Sequence, residues 1–491
     1  MTPPRLLADG RARAFSLLVA CALIQAAALS AAAFATRAIF ATLHADEPLT
    51  LALLAWLGAA GISAALAQFI LDSTGEKMGQ CFTASVRQRL YEHASCSPQS
   101  ELAKRRMGYH LLRFSGDLNA LTAWPSRGLP RLIAAGALLP AALMVLWVLH
   151  APFAWIAGAT VLVTVLTLAL AYPRLKKNYE GLRARRARLA ADMAERVPVA
   201  AQLAAMGRRS KEKTRLSSRT DAVIEMALRA RRFEAGLKLL PEAMVAITAC
   251  ALLGIGARDD LPAAHLAAAL AALALTLRPL RNATRALQQR ALFLAAHDKL
   301  RLSLERETVS RENACLVLPS GPLSLTVTDD AGERHAFAPG TISCKTTLDL
   351  ERFAPILIGA QPAERAHAFL NDIDVCDLDP ASLGRRVGVL TDNPLILKGS
   401  LRRNLTLGLQ GRPTDNEIME RIEAAGHSQT LKRLGPLFNR LPERGANLTR
   451  EDRIGLSLLR TIIQSPGLIL VLVPIQEELD CVFKGSTILR V

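Results

Sequence analysis

Apolar residues gather over the first part of the chain in six runs, at 15–36, 49–71, 132–149, 153–172, 236–256 and 262–279. A helix rises about 1.5 Å per residue and a bilayer's hydrocarbon core is about 30 Å thick, so runs near twenty residues predict six membrane spans. The third and sixth are short for this. The first run is long enough to span and lacks a convincing A-x-A cleavage site, so it reads as a retained helix. Only His150, Ala151 and Pro152 separate the third run from the fourth, which predicts a hairpin turning at one membrane face with Trp147 and Trp155 as interfacial anchors.

The polar stretches between the runs give an orientation. Lys77, Arg87, Arg89, Lys104, Arg105, Arg106, Arg113 and Arg127 lie between the second and third, and Arg174 through Lys238 carry a second basic block. The opposite loops, His44 to Pro48 and Ala257 to Asp260, carry almost no positive charge. By the positive-inside rule the basic blocks and both termini are cytoplasmic. Tyr179, Leu182, Arg185, Leu189, Met193 and Val197 recur at helical spacing, so spans two to five continue well beyond the membrane.

From Leu316 the pattern turns to short strand-like runs with turns, as in LSLTVTDDAGERHAF (323–337), whose Ala331-Gly332 suits a hairpin tip. This predicts a helical membrane domain over 1–305, a linker at 306–315 and an α/β domain over 316–491. Composition agrees. A chain of 491 residues exceeds one core, and 51% hydrophobic residues with 4% aromatics fit Ala/Leu-rich helices. The net charge of +17 would suggest nucleic acid in a soluble protein, but here it belongs to basic membrane loops, and no nucleic-acid partner is expected. Eight scattered cysteines form no C-x-x-C pair or metal spacing and read as reduced thiols, with no metal site.

Four segments in order carry a family resemblance: VRQRLYEHA (86–94), MGYHLLRFSGDLNAL (107–121), AERVPVAAQLAAMGRRSKEKTRL (194–216) and TLRPLRNATRALQQRALFLAAHDKL (276–300). Together they resemble the exporter branch of the ATP-binding cassette (ABC) transporters. The resemblance implies a type 1 six-helix all-α membrane domain followed by an α/β ABC ATPase-like domain. It also implies coupling residues at Arg113, Gly116 and Asp117 and at Leu203 and Met206. NDIDVCDLDPASLGRRVGVLTDNPLILKGSLRRNLTLG (371–408) resembles that domain's line through the Q-loop, and LPERGANL (441–448) the approach to its signature helix.

The family's catalytic residues are missing. A phosphate-binding loop needs G-x-x-x-x-G-K-[ST], whose glycines let backbone N–H groups reach the phosphates. Length sets Arg352 and Phe353 against its Gly and Lys, and the Lys345-Thr346-Thr347 string lacks both glycines. Asp392 stands for the Q-loop Gln, and the signature Leu-Ser-Gly-Gly-Gln reads Leu448, Thr449, Arg450, Glu451, Asp452. After LILVL, Val473 and Pro474 replace the two acids of the Walker B strand, while Glu477 and Glu478 suit a helix cap before the D-loop-like Leu479-Asp480. The last His is His427, so the domain reads as degenerate and cut short before the switch His.

Polar residues inside spans are costly in hydrocarbon and mark cavity or interhelical positions. Gln25, Gln68, Glu242 and Arg278 are the substrate-cavity candidates, though Glu242 and Arg278 also lie close enough to span ends to snorkel. What the resemblance and the missing catalytic residues imply is a non-catalytic subunit that shapes the pathway beside an intact half-transporter, with ATP and Mg on the partner; the Ala and Arg enrichment points to a GC-rich bacterial gene and hence an inner membrane. A pseudo-transporter that regulates or docks without transport is the alternative, and an active homodimer would need an ATP site of another kind.

Overall fold

The computed structural model describes residues 2–8, 10–45, 48–98, 118–305, 314–329, 332–343, 348–361, 367–409, 411–474, 482–483 and 485–490. The chain divides into two compact units, Met1–Ser95 with Arg105–Arg306 and Cys96–Lys104 with Glu307–Val491.

The first unit is helical. Its elements are α1 (Arg11–His44), α2 (Leu51–Ser95), α3 (Leu118–Ala123), a π turn (Trp124–Gly128), α4 (Leu129–Leu149), α5 (Ala151–Arg196), α6 (Ala200–Ala205), α7 (Arg209–Arg258) and α8 (Ala263–Leu304). Among the described residues, six helical stretches are long and apolar enough to cross a membrane. In hydrocarbon a backbone amide finds no water, so a spanning segment must satisfy its own hydrogen bonds as a helix. Side chains such as Trp56, Phe69, Leu162 and Leu170 point outward, as a lipid solvent permits. The 45 residues of α2 and the 50 of α7 would extend about 68 and 75 Å, more than twice the hydrocarbon thickness. Trp147 and Trp155 meet edge to face, ring centroids 6.0 Å apart, across the α4–α5 turn.

Packing inside this unit relies on small residues. Gly75 and Gly79 of α2 lie one turn apart against the π turn, and a Cβ on Gly75 would stand 2.5 Å from the Ser126 carbonyl oxygen. On Gly79 it would stand 2.6 Å from Ser126 Cβ. One turn further, the hydroxyls of Thr83 and Thr122 share a 2.6 Å hydrogen bond. This is the small-x-x-x-small logic by which membrane helices approach closely, and Pro125, which has no N–H to place, opens the π turn there.

The second unit is α/β, with two four-stranded sheets. In the first, β1 (Leu325–Thr328) pairs antiparallel with both β2 (Arg334–Phe337) and β4 (Ala368–Leu370), and β5 (Ile373–Asp374) follows β4. The β1–β2 hairpin forms as expected from its flanks; Ala331 of the expected tip lies outside the described residues. The second sheet runs β3 (Ile342–Ser343), β10 (Thr487–Arg490), β9 (Leu468–Val471), β6 (Val387–Leu390), all parallel. Every residue of β9 is buried, as a continuous apolar strand inside a parallel sheet should be. Helices α9 (Leu350–Leu357), α10 (Pro380–Arg386), α11 (Leu401–Leu405), α12 (Asp415–Ala424), α13 (Ser428–Leu434) and α14 (Arg450–Gln464) complete the unit with the short β7–β8 pair (Gly399–Ser400, Arg440–Leu441).

Replacing Gly79→Leu should push α2 off the π turn and cost about 1–3 kcal/mol of overpacking. Thermal unfolding in mild detergent is expected to show the loss, while Gly58→Leu, whose added atoms meet nothing within 4 Å at Cβ, leaves the midpoint unchanged.

Candidate functional site

Two of the four polar span residues meet. Gln25 on α1 donates through Nε2 to Gln68 Oε1 on α2 at 3.0 Å, and Gln68 donates onward to Asp72 at 2.9 Å. Glu242 on α7 forms an ion pair with Arg281 on α8 at 2.6 Å, both side chains half exposed. Arg278 lies one turn from Arg281 and is exposed, apart from the Gln pair. The four candidates therefore form no single cluster. An apolar cavity of about 430 Å³ opens instead between α4, α5 and α8, lined by Ala135, Leu139, Pro140, Leu168, Ala283 and Leu287 among others.

A polar junction that the sequence reading passed over lies where α5, α7 and α8 cross. Glu234 is 2% exposed and accepts from Tyr179 at 2.5 Å and from Arg231 at 3.0 Å, while Lys238 reaches its other oxygen. Gln288 on α8 donates to the Tyr179 hydroxyl at 2.6 Å. One buried carboxylate thus links three long helices. The signal was present in Glu234, one turn before Lys238 and just after Arg231 and Arg232, but periodicity alone does not say which helices it joins.

Of the expected coupling residues, Arg113, Gly116 and Asp117 lie outside the described residues. Leu203 and Met206 lie on and just after α6, a short exposed helix between α5 and α7, with Met206 73% exposed.

In the α/β unit, the carboxyl ends of the parallel strands are where such sheets receive ligands. Asp392 follows β6, Val473 and Pro474 follow β9, and α9 follows β3. Lys345, Thr346, Thr347 and the carboxylates of Glu477, Glu478 and Asp480 lie outside the described residues. Helix α9 begins at Leu350, so Arg352 and Phe353, set by length against the Gly and Lys of a phosphate loop, stand third and fourth within it. Phe353 is buried in the core. The helix start, where an anion would be received, is held by Asp349, Leu350 and Glu351. The Asp349 side chain accepts from the Arg352 N–H and caps the helix, with Glu351 in the first turn. Helix dipole and backbone N–H groups there already face a carboxylate of their own chain.

The signature position is built in the same way. Thr449 is the N-cap of α14, and Asp452 returns a carboxylate to the Thr449 N–H, closing a capping box. Arg433 grips Asp452 at 3.0 Å and Glu451 at 3.5 Å. Arg450 donates to Asp392 at 2.9 Å, so the Q-loop position and the signature position pair with each other. Arg460, further along α14, donates to the Asn404 and Leu395 carbonyls, and burial pushes its guanidinium down to about 10. Val473 is 6% exposed and Pro474 is exposed, so neither offers a metal ligand.

A cluster outside these positions gathers Asp329, Glu333 and His335 at the β1–β2 hairpin, their ligand atoms within 4.8 Å of one another. Asp329 accepts from the Glu333 N–H at 2.8 Å, which makes the group a brace of the turn.

Residues 15–258 match the ABC transporter transmembrane region family. The structure superposes on that of a bacterial Atm1-family ABC exporter with ATP bound, with a TM-score of 0.80 over 98% of this chain and 91% of that one, at 14% identity. Among curated proteins, ATP-binding cassette sub-family C member 10 of Mus musculus is 27% identical over 30% of this chain and 9% of its own length. The ATP-dependent lipid A-core flippase of Syntrophus aciditrophicus is 24% identical over 34% of this chain and 29% of its own. This chain thus spans less than a third of either curated relative.

Thr449→Ala should remove the cap of α14 and cost about 1 kcal/mol, read as faster amide exchange across the helix. Asp392→Ala breaks an exposed pair and is expected to change that exchange by no more than about 1 kcal/mol. Tyr179→Phe removes a hydrogen bond to a buried carboxylate and should lower the unfolding midpoint by an amount worth about 1.5–3 kcal/mol.

Proposed function

We propose that this chain, which carries the ABC transporter transmembrane region in the fold of an ABC exporter, works as the non-catalytic subunit of such an exporter. The observation that carries the proposal is the state of two helix starts. Those of α9 and α14 are the ones the resemblance sets against phosphate; the first is capped by the Asp349 carboxylate, and the second is closed by the Thr449 hydroxyl with the Asp452 carboxylate returned to the Thr449 N–H. Glu351 and Glu451 add negative charge at the first turns. A triphosphate brought to either end would displace an existing hydrogen bond and meet like charge. The donor set therefore does not fit ATP, and Val473 and Pro474 supply no magnesium ligand. In this reading ATP and Mg belong to an intact half-transporter, and this chain contributes its helices and a structural α/β unit.

Each nucleotide in this family is held between one subunit's phosphate loop and the other's signature segment, as the resemblance implies. With both halves altered here, the motion comes from the partner and reaches the membrane helices through α6 and the 107–118 segment. The basic extensions and both termini are cytoplasmic, on the distribution of Arg and Lys, and the Ala- and Arg-rich composition suits a bacterial inner membrane.

Purification of the tagged protein from its native membrane in mild detergent should recover an intact half-transporter with GK[ST] and LSGGQ motifs at one-to-one stoichiometry. A fluorescent ATP analogue should bind saturably to the pair and not to this chain alone. Recovery of this chain by itself would end the heterodimer reading in favour of a pseudo-transporter that docks or regulates without transport. Saturable binding to the isolated chain would end the non-catalytic one.

A further inference from the structure

At the end of the helical unit opposite the basic extensions, four side chains from two helices and two turns meet. Arg37 near the end of α1 lies 2.9 Å, Nη2 to Nε2, from His265 at the start of α8. His150, in the turn between α4 and α5, lies 3.6 Å from Asp259, which follows α7. The His150 ring is within electrostatic reach of His265, so the two pairs form one group. Among the described residues these are the charged and titratable groups facing His265: Arg37 from α1, His150 from the α4–α5 turn and, through His150, Asp259 beyond α7. The Nδ1 atoms of both rings are buried without a hydrogen-bond partner.

The chemistry of the first pair dictates its protonation. A guanidinium has only donors, so His265 Nε2 must accept, and the ring proton must sit on Nδ1. The contact thus requires a neutral imidazole. A second proton would turn Nε2–H against the N–H of Arg37 and place two cations at hydrogen-bond distance. The second pair responds the other way, since protonating His150 strengthens its attraction to Asp259. Because Nδ1 of His265 is buried and unpaired, the ring has no alternative partner to hold it once the Arg37 contact fails.

We propose that His265, with Arg37, His150 and Asp259 around it, is a proton-binding site that ties α1 to α8 when neutral and releases them when protonated. The sign follows from the tautomer. The tie is present at high pH and is lost as pH falls and His265 takes up its second proton. On the orientation proposed above, this end faces the compartment opposite the cytoplasm, where a transporter senses external acidity.

Hydrogen–deuterium exchange of the full-length protein in nanodiscs tests the site, comparing about pH 7.5 with about pH 4.5 after correction for intrinsic rates. Peptides covering 35–43 and 263–270 are expected to exchange about tenfold faster at the lower pH, the scale of one lost hydrogen bond to a charged group. His265→Gln keeps an oxygen acceptor for Arg37 and should exchange slowly at both values. Arg37→Gln, which lacks the cation, should show no acid-induced increase. A wild-type protein with no response, or a His265→Gln protein that still responds, overturns the proposal. His150→Gln is expected to leave the response in place, and its loss there would assign the proton to His150 and overturn the proposal as well.

Discussion

A backbone N–H with no water beside it must find an acceptor inside the chain, and both units of this protein are shaped by how that demand is met. In the helical unit it forces uninterrupted helices through the apolar runs, since no open strand or loop could satisfy its amides in hydrocarbon. In the α/β unit the same demand falls on helix starts, where the first amides have no partner within the helix. There the chain answers with Asp349 over α9 and with Thr449 and Asp452 over α14. A helix start closed by groups of its own chain is stable, and on the proposal above the same closure keeps phosphate out.

The polar side chains of the helical unit follow a related rule. Gln25 with Gln68, Thr160 with Thr248, and Glu242 with Arg281 each join two helices. Lipid offers no hydrogen bonds, so a polar group is cheapest where a neighbouring helix supplies one. Glu234 is the most buried carboxylate of this kind, and its bonds to Tyr179, Arg231 and Lys238 tie α5 to α7 where both run beyond the length a bilayer needs. These junctions lock the crossing points, and Gln288 of α8, next to the cavity-lining Leu287, bonds the Tyr179 hydroxyl of α5.

The α/β unit keeps its scaffold while its ligand positions turn inward. β9 remains a fully buried strand at the centre of a parallel sheet, and the segment after it ends in Val473 and Pro474. Asp392 and Arg450, each at a position that would face nucleotide in the resembled family, pair with each other. Arg433 takes up Glu451 and Asp452. Charge at these positions is thus balanced within the chain.

By itself the sequence determined the number and rough extent of the spans, the change to an α/β pattern after them, and the absence of a glycine-rich phosphate loop. Those features depend on runs of one residue type or on a local string, and local order is what a sequence displays directly. It left the Gly75 and Gly79 crossing unread although the G-x-x-x-G spacing was there, because spacing does not name the partner surface. It also set Arg352 and Phe353 two to three residues beyond the helix start, because only the backbone shows that Asp349 is the cap. Which polar residues meet was decided by tertiary structure alone. Gln25 and Gln68 are 43 positions apart, Asp392 and Arg450 are 58, and Arg37 and His265 are 228. Such pairs are selected by the packing of long helices and by the order of strands in a sheet, and neither leaves a periodic trace along the chain.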